Sequence, residues 1–243
     1  MKGCGKRIGP FACCTVVQGD CLKLMQQLPE NSVDAVIVDP VWPHCPKGLL
    51  RGSENPELLF AKFCEFLPKG IRQLVVEMSN NSDPRMLSFV PKYLGFQQVG
   101  WCQYVMPGFI GRVLGGNECI YAFGKAIAVQ DGRRVVPSVS PKAQPDKWRS
   151  VNGVKHPCSR ALTHQLWVVN WFSDIGEVVL DSFCGAGTTL IAAKSLGRHF
   201  LGFEIEKKYC VIARERLART EPIPQMRRGK SNSNFEYFNI LEK

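Results

Sequence analysis

Asp181-Ser-Phe-Cys-Gly-Ala-Gly-Thr-Thr189 joins an apolar, strand-like stretch (Val178, Val179, Leu180) to an apolar, helix-like one (Leu190 to Leu196). A strand that breaks at glycines and restarts as a helix exposes unpaired backbone N–H groups at a sheet's carboxyl edge, where α/β proteins hold nucleotide-like cofactors. Farther on, Glu204 ends a second strand-like run beginning at His199. An acid there can accept hydrogen bonds from ribose hydroxyls. The same residues also suit a tight turn with an unrelated surface glutamate, and the glycine pair alone leaves both readings open.

The flanking residues narrow the choice. His156-Pro-Cys-Ser-Arg-Ala-Leu162 precedes the glycine loop, Leu-Gly-Phe-Glu204-Ile-Glu-Lys-Lys-Tyr209 follows it, and Asp39-Pro-Val-Trp42 lies far upstream. In order and content this resembles the β-class amino-methyltransferases, which modify exocyclic nitrogens of DNA bases. Their pattern runs D-P-P-Y/W, HP-x-x-K-P-L, D-P-F-C-G-S-G-T-T and G-x-E-I-x-x-x-Y. The matched motifs extend from Asp20 to about Leu217. Val41 and Ala161 replace prolines of the pattern, Ser182 replaces the proline after the aspartate, and Arg160 replaces lysine. Arginine keeps the charge. Valine gives up the fixed φ that proline would lend the turn presenting Trp42, which points to a working but less rigid site.

The resemblance implies an S-adenosylmethionine-dependent enzyme. Asp39, Pro40 and Trp42 would form the catalytic motif. Asp20 would meet the adenine end of the cofactor, although a helix cap serves equally well for it. Asp181, Phe183, Gly185 and Gly187 would surround the methionine moiety, with Thr188 opening the helix behind them; Asp39 would also count among the cofactor-binding residues, and Glu204 would hold the ribose. His156, Pro157, Ser159 and Arg160 would close over the methionine end. The target amine is a poor nucleophile because its lone pair is delocalised into the ring. Acceptors for its N–H groups, here Asp39 and the Pro40 carbonyl, favour the pyramidal nitrogen of the transition state. The base must be flipped from a duplex or taken from a single strand, and Trp42 would be its stacking platform. No metal is required. Cytosine-N4 enzymes of this family more often carry serine at the position of Asp39, so adenine N6 is favoured. Cytosine N4, an RNA substrate and a degenerate member that binds DNA or cofactor without catalysis are the alternatives. A dehydrogenase is disfavoured, because Thr188, Thr189 and Leu190 follow Gly187 where G-x-G-x-x-G needs a third glycine.

At 243 residues and 45% hydrophobic, the chain can bury a full core. One methyltransferase domain over 1–220 is expected, divided into a catalytic half (15–124), a basic insertion or recognition loop (125–155) and a cofactor half (156–220). A basic, loosely ordered tail (221–243) would follow. A net charge of +10 suits a phosphate backbone as partner. Part of it lies in Arg112, Lys125, Arg133, Arg134, Lys142, Lys147, Arg149 and Lys155, and part in a C-terminal cluster from Arg214 to Lys230. No apolar run reaches the roughly 18 residues of a membrane span, and the basic N-terminus lacks a leader's apolar core, so a cytoplasmic protein is expected. Eleven cysteines are scattered singly without paired CxxC knuckles and read mainly as small hydrophobes. Cys4, Cys13, Cys14 and Cys21 are the one candidate metal cluster, with an adjacent pair awkward for tetrahedral zinc.

The elements that must position these residues alternate as in a doubly wound, mostly parallel Rossmann-like sheet with a small basic insertion. Strands are expected at Thr15 to Val17, Val33 to Val38, Gln73 to Met78, Phe96 to Val105, Asn117 to Phe123, Val178 to Leu180 and His199 to Phe203. Helices are expected at Cys21 to Leu28, Leu58 to Leu67, Asp83 to Leu94 with a break near Pro91, Leu162 to Phe172, and after each of the last two strands. Trp167, Trp171 and Phe172 read as core.

Overall fold

The computed structural model describes residues 4–105, 109–110, 113–114, 118–125, 137–143, 150–151 and 154–222. Seven strands form the main sheet: β1 (Thr15–Gln18), β2 (Ala35–Val38), β3 (Gln73–Ser79), β4 (Phe96–Cys102), β5 (Glu118–Gly124), β6 (Val178–Asp181) and β7 (His199–Glu204). Their spatial order is β1-β7-β6-β2-β3-β5-β4. The strands from β1 to β3 in that order are parallel, and β5 runs antiparallel to both β3 and β4. Ala35–Val38 is buried throughout, as a β-branched run covered on both faces should be. This is the doubly wound, mostly parallel sheet that the sequence pattern implies.

Five helices cover it: α1 (Cys21–Met25), α2 (Pro56–Glu65), α3 (Leu162–Phe172), α4 (Thr188–Ser195) and α5 (Lys207–Arg219). The last three share one core cluster with Val16, Ile37 and Val179, while α1 and α2 pack on the opposite face with Val36, Val38 and Leu180. Trp167 and Phe172 are each 1% exposed, so the aromatics of α3 are core. No helix among the described residues is long and apolar enough to cross a membrane.

Several expected boundaries shift for local reasons. Helix α1 stops at Met25, because two tight turns follow in which Gln27 and Leu28 N–H donate to the carbonyls of Leu24 and Met25. Helix α2 begins earlier than expected, capped by the Asn55 side chain with Pro56 in its first turn. Residues Pro84–Phe89 form a 3-10 helix rather than an α-helix. Pro84 sets the start, and Pro91 lacks the N–H that would continue a helix. Of the C-terminal basic cluster, Arg214 and Arg216 sit on α5 and are tied into the fold, donating to the carbonyls of Val16 and Ala186. The basic insertion falls largely outside the described residues, as do residues 223–243 and Arg112.

The chain leaves β6 through α4 towards β7 and leaves β2 through α2 towards β3. These departures go opposite ways from two neighbouring strands. The carboxyl ends of β6 and β2 therefore bound the crevice where open α/β sheets bind ligands. Asp181 ends the first of these strands and Asp39 follows the second.

Candidate active site

A cavity of about 590 Å³ opens at this crevice, within the range that holds a nucleoside-sized ligand. Its wall includes Asp20, Asp39, Pro40, Val41, Trp42, His156, Arg160, Phe183 and Glu204. Four sequence-distant motifs thus meet at one opening. Pro157, Ser159, Asp181, Gly185, Gly187 and Thr188 do not line it.

The wall that carries Gly185 and Glu204, expected to face a cofactor, is built by backbone constraints. Gly185 has φ +48° and donates its N–H to Glu204 Oε2 at 2.9 Å. A Cβ on Gly185 would lie 2.6 Å from His156 Nε2, so only glycine lets the two motifs approach. Gly187, at φ +78°, caps α4 in the left-handed conformation, and a Cβ there would come within 2.9 Å of Ala213. Glu204 Oε1 also accepts from Glu206 N–H at 2.8 Å. Burial raises its pKa, and these backbone donors oppose that shift. Both carboxylate oxygens are thereby fixed in direction while each keeps a further lone pair.

Asp20 does both things expected of it. It caps α1 through Leu22 N–H at 3.0 Å and it lines the cavity. His156 accepts from Cys158 N–H at 3.3 Å through Nδ1 and packs edge-on against Tyr209 at 4.4 Å. Burial, then the Arg160 charge, lowers its pKa to about 4, so the ring is neutral at physiological pH. Asp181 accepts from Phe183 N–H at 3.1 Å and braces the loop from behind. Burial raises its pKa to about 7. Ser159 is buried, and its hydroxyl has no partner among the described residues.

The opposite wall is organised by charge. Arg160 grips Asp39 with both arms of its fork, Nε to Oδ2 at 2.7 Å and Nη2 to Oδ1 at 3.0 Å. Its third nitrogen donates to Glu118 Oε1 at 2.6 Å, and Glu77 Oε1 lies 4.0 Å away. The guanidinium also covers one face of Trp42 at 4.2 Å from the ring centre. Arg160 was expected over the methionine end of the cofactor, yet here its partners are the catalytic-motif residues Asp39 and Trp42.

Strand register explains why. Val38 pairs with Val76, which sets Asp39 beside Glu77, and Ser79 pairs with Glu118. Three acids converge on one sheet edge and need a cation. Glu77 is pushed well above the usual carboxylate range, first by burial and then by the Glu118 charge, and burial also raises Asp39 against the pull of Arg160. Glu77 receives a hydrogen bond from Gln165, and Glu118 one from the Tyr104 hydroxyl at 2.9 Å. Trp42 donates its indole N–H to the Glu77 carbonyl at 3.1 Å.

Sequence reasoning missed Glu77, Glu118, Tyr104 and Gln165. The available signal was a lone acid inside the apolar run Gln73-Leu-Val-Val-Glu77-Met78. Val41 is buried in the cavity wall, and no residue from Asp39 to Trp42 has a left-handed φ, so valine fits this turn without backbone strain.

A family model described as DNA methylase matches residues 88–215. The chain belongs to this DNA methylase family. It is 26% identical to the putative methylase YubD of Escherichia coli K12, over 90% of this chain and 96% of that one. Among solved structures, a complex of M1.HpyAVI with SAM superposes with a TM-score of 0.62 at 21% identity, covering 84% of this chain and 98% of that one. The cytosine-N4-specific PvuII DNA methyltransferase gives 0.64 at 17% identity, with 83% and 85% covered. As a DNA methylase the protein uses S-adenosylmethionine as methyl donor and DNA as methyl acceptor, at N6 of adenine or N4 of cytosine.

The cavity suits that donor. Glu204 and Asp20 offer acceptors for hydroxyl and amino groups, while Leu22, Phe183 and Phe203 give an apolar wall for an adenine ring.

Proposed function

We propose that this DNA methylase transfers the methyl group to N6 of adenine, on a base flipped from a duplex or presented in a single strand. The observation that carries the reading is Asp39: a carboxylate, rather than a hydroxyl, stands at the end of β2 on the same wall as Trp42. S-adenosylmethionine, when bound, supplies a methyl group made electrophilic by its sulfonium. The remaining work falls to the chain. Asp39 and the Pro40 carbonyl accept the two N–H groups of the amine, which localises the lone pair on nitrogen and stabilises the charge that develops there. Arg160 fixes the plane of the Asp39 carboxylate and leaves a lone pair on each oxygen for the base. The amine surrenders its surplus proton after transfer, with Asp39 as the nearest acceptor.

Trp42 stacks the base on the ring face that Arg160 does not cover, worth about 1 to 3 kcal/mol. Glu204 receives the ribose hydroxyls, Asp20 the adenine end, and Phe183 walls the adenosine. His156, Pro157, Ser159, Asp181, Gly185, Gly187 and Thr188 hold the loops in shape. The basic stretch 125–155 meets the DNA, and phosphate contacts dominate its affinity.

The deciding experiment incubates the protein with methyl-labelled S-adenosylmethionine and DNA, digests the DNA to nucleosides and identifies the labelled product. N6-methyl-2′-deoxyadenosine is expected. N4-methyl-2′-deoxycytidine, or label confined to RNA when both polymers are offered, sinks the adenine reading. Cofactor binding without label in any polymer would support a binding protein instead.

A further inference from the structure

At the amino end of the sheet, away from the cavity, Cys4, Cys13, Cys14 and His199 bring three thiols and an imidazole together. One ligand atom from each lies within 4.8 Å of all the others. We propose that these four residues form a closed, tetrahedral Zn²⁺ site that clamps the N-terminal hairpin to the start of β7.

The distances suit the ion. Zinc at about 2.3 Å from sulfur and about 2.1 Å from nitrogen sets its ligands roughly 3.5 to 3.8 Å apart. Cys13 Sγ and Cys14 Sγ are 3.5 Å apart, and Cys14 Sγ is 3.7 Å from His199 Nδ1. Adjacent residues of an extended strand point to opposite faces, so a Cys-Cys pair should not converge. Here it does, because Cys14 adopts φ +61°, one of two non-glycine residues with positive φ among those described. A side chain held in that conformation is strained, and such outliers concentrate at ligand sites.

The fold enforces the arrangement from both sides. Cys13 N–H donates to the Lys6 carbonyl at 3.0 Å, closing the hairpin formed by Arg7–Ile8 and Phe11–Ala12 and returning the chain to Cys4. Cys14 N–H donates to the Phe200 carbonyl at 2.8 Å, which pins the pair beside His199. Cys21, which the sequence only grouped with Cys4, Cys13 and Cys14 as a candidate, instead lines the cavity on α1, and His199 takes the fourth place.

On binding, each sulfur donates an electron pair to the metal and each thiol releases its proton to solvent; nothing is oxidised. His199 coordinates through Nδ1, so Nε2 carries the ring proton and the exposed Lys6, now 3.1 Å from Nε2, turns away. Four protein ligands leave no open position for water, which makes the site structural. The length of β7 separates it from Glu204 by roughly 16 Å at about 3.3 Å per residue.

The test uses the full chain purified under reducing conditions. Elemental analysis should find one zinc per chain. Protein stripped by chelator should take up Co²⁺ with the near-ultraviolet thiolate-to-cobalt absorption of three sulfurs and the visible bands of a tetrahedral ion. Cys14→Ser and His199→Asn should each emerge without zinc, while Cys45→Ser should keep a full equivalent. The cobalt titration reads the wild-type site directly, so poor folding of a variant does not rescue the idea. Metal-free protein that takes up no cobalt, zinc retained by Cys14→Ser, or a Cys13–Cys14 disulfide that persists in reduced protein would each overturn it.

Discussion

The two walls of the cavity are stabilised by different physics. On the cofactor side the functional geometry is made by the main chain: glycines in left-handed conformations, backbone N–H groups aimed at Glu204, and a loop that fits only because Gly185 lacks a Cβ beneath His156. On the base side it is made by charge, with Arg160 serving Asp39, Glu118 and Glu77 together. A wall held by backbone hydrogen bonds degrades gradually when one side chain is lost. A wall held by one cation among three acids should fail at once, because removing a single partner leaves buried charge uncompensated.

The largest expected effect is on the base side and in chemistry. Asp39→Ala should slow methyl transfer by about 10³-fold or more, the scale seen when one preorganised electrostatic contact to a transition state is removed. Cofactor affinity by calorimetry should stay near wild type. Lost affinity together with lost activity would mean that Asp39 serves the cofactor or the fold. Asp39→Asn keeps an acceptor but faces Arg160 without a charge, and it too should be severely impaired.

Arg160→Ala should be the most damaging change to stability, by about 3 to 5 kcal/mol in denaturant melts, because Asp39 and Glu118 lose the cation that bonds them both. A loss below about 1 kcal/mol, typical of exposed ion pairs, would erase the contrast between the walls. Arg160→Lys restores the charge without the fork and should recover stability better than rate.

This asymmetry also explains what was legible in the sequence. The cofactor wall is encoded by contiguous motifs whose glycines and acids act within a few residues, and Asp181 to Thr189 could be placed from pattern alone. The base wall depends on register. Nothing local to Glu77 or Glu118 says that they will flank Asp39; only the pairing of β2 with β3 and β3 with β5 brings them there. The resemblance accordingly implies a cofactor contact for Arg160, while the structure pairs it with Asp39. The same limit hid His199 from the cysteine cluster, since its partners come from the other end of the chain. The expected helix from Asp83 to Leu94 failed for a different reason: helical spacing of apolar residues does not survive prolines at both ends.

On the cofactor wall, Glu204→Ala should weaken S-adenosylmethionine binding by roughly 1.5 to 3 kcal/mol, the worth of a charged acceptor. Part of that loss should be structural, because Gly185 and Glu206 N–H lose their acceptor as well. Glu204→Gln keeps one carbonyl oxygen and should fall between. Unchanged affinity in both variants would remove Glu204 from the ribose site. Trp42→Ala should raise the KM for DNA, with a cost of about 1 to 3 kcal/mol for lost stacking. Trp42→Phe should recover only part of it. The indole N–H is used by the Glu77 carbonyl, and that bond is worth about 1 kcal/mol.

The smallest effect probes the brace behind the cofactor wall. Burial raises the Asp181 pKa to about 7 from an ordinary value of 3.8. Between those values the folded protein holds a proton that the unfolded chain has released, so this group's contribution to stability is fully present below pH 3.8 and is lost as pH rises through 7. Asp181→Asn mimics the neutral form and preserves the acceptor for Phe183 N–H. Relative to wild type, the asparagine protein should therefore gain stability as pH rises from about 4 to about 7 and hold that gain above it, read as a difference in urea midpoints at constant m-value. His156, whose neutral form is favoured down to about pH 4, contributes the opposite slope in acid but is common to both proteins and cancels in the difference. A difference that stays flat with pH would show that Asp181 is ionised in the folded state, and that the loop is braced by a charge rather than by a buried acid.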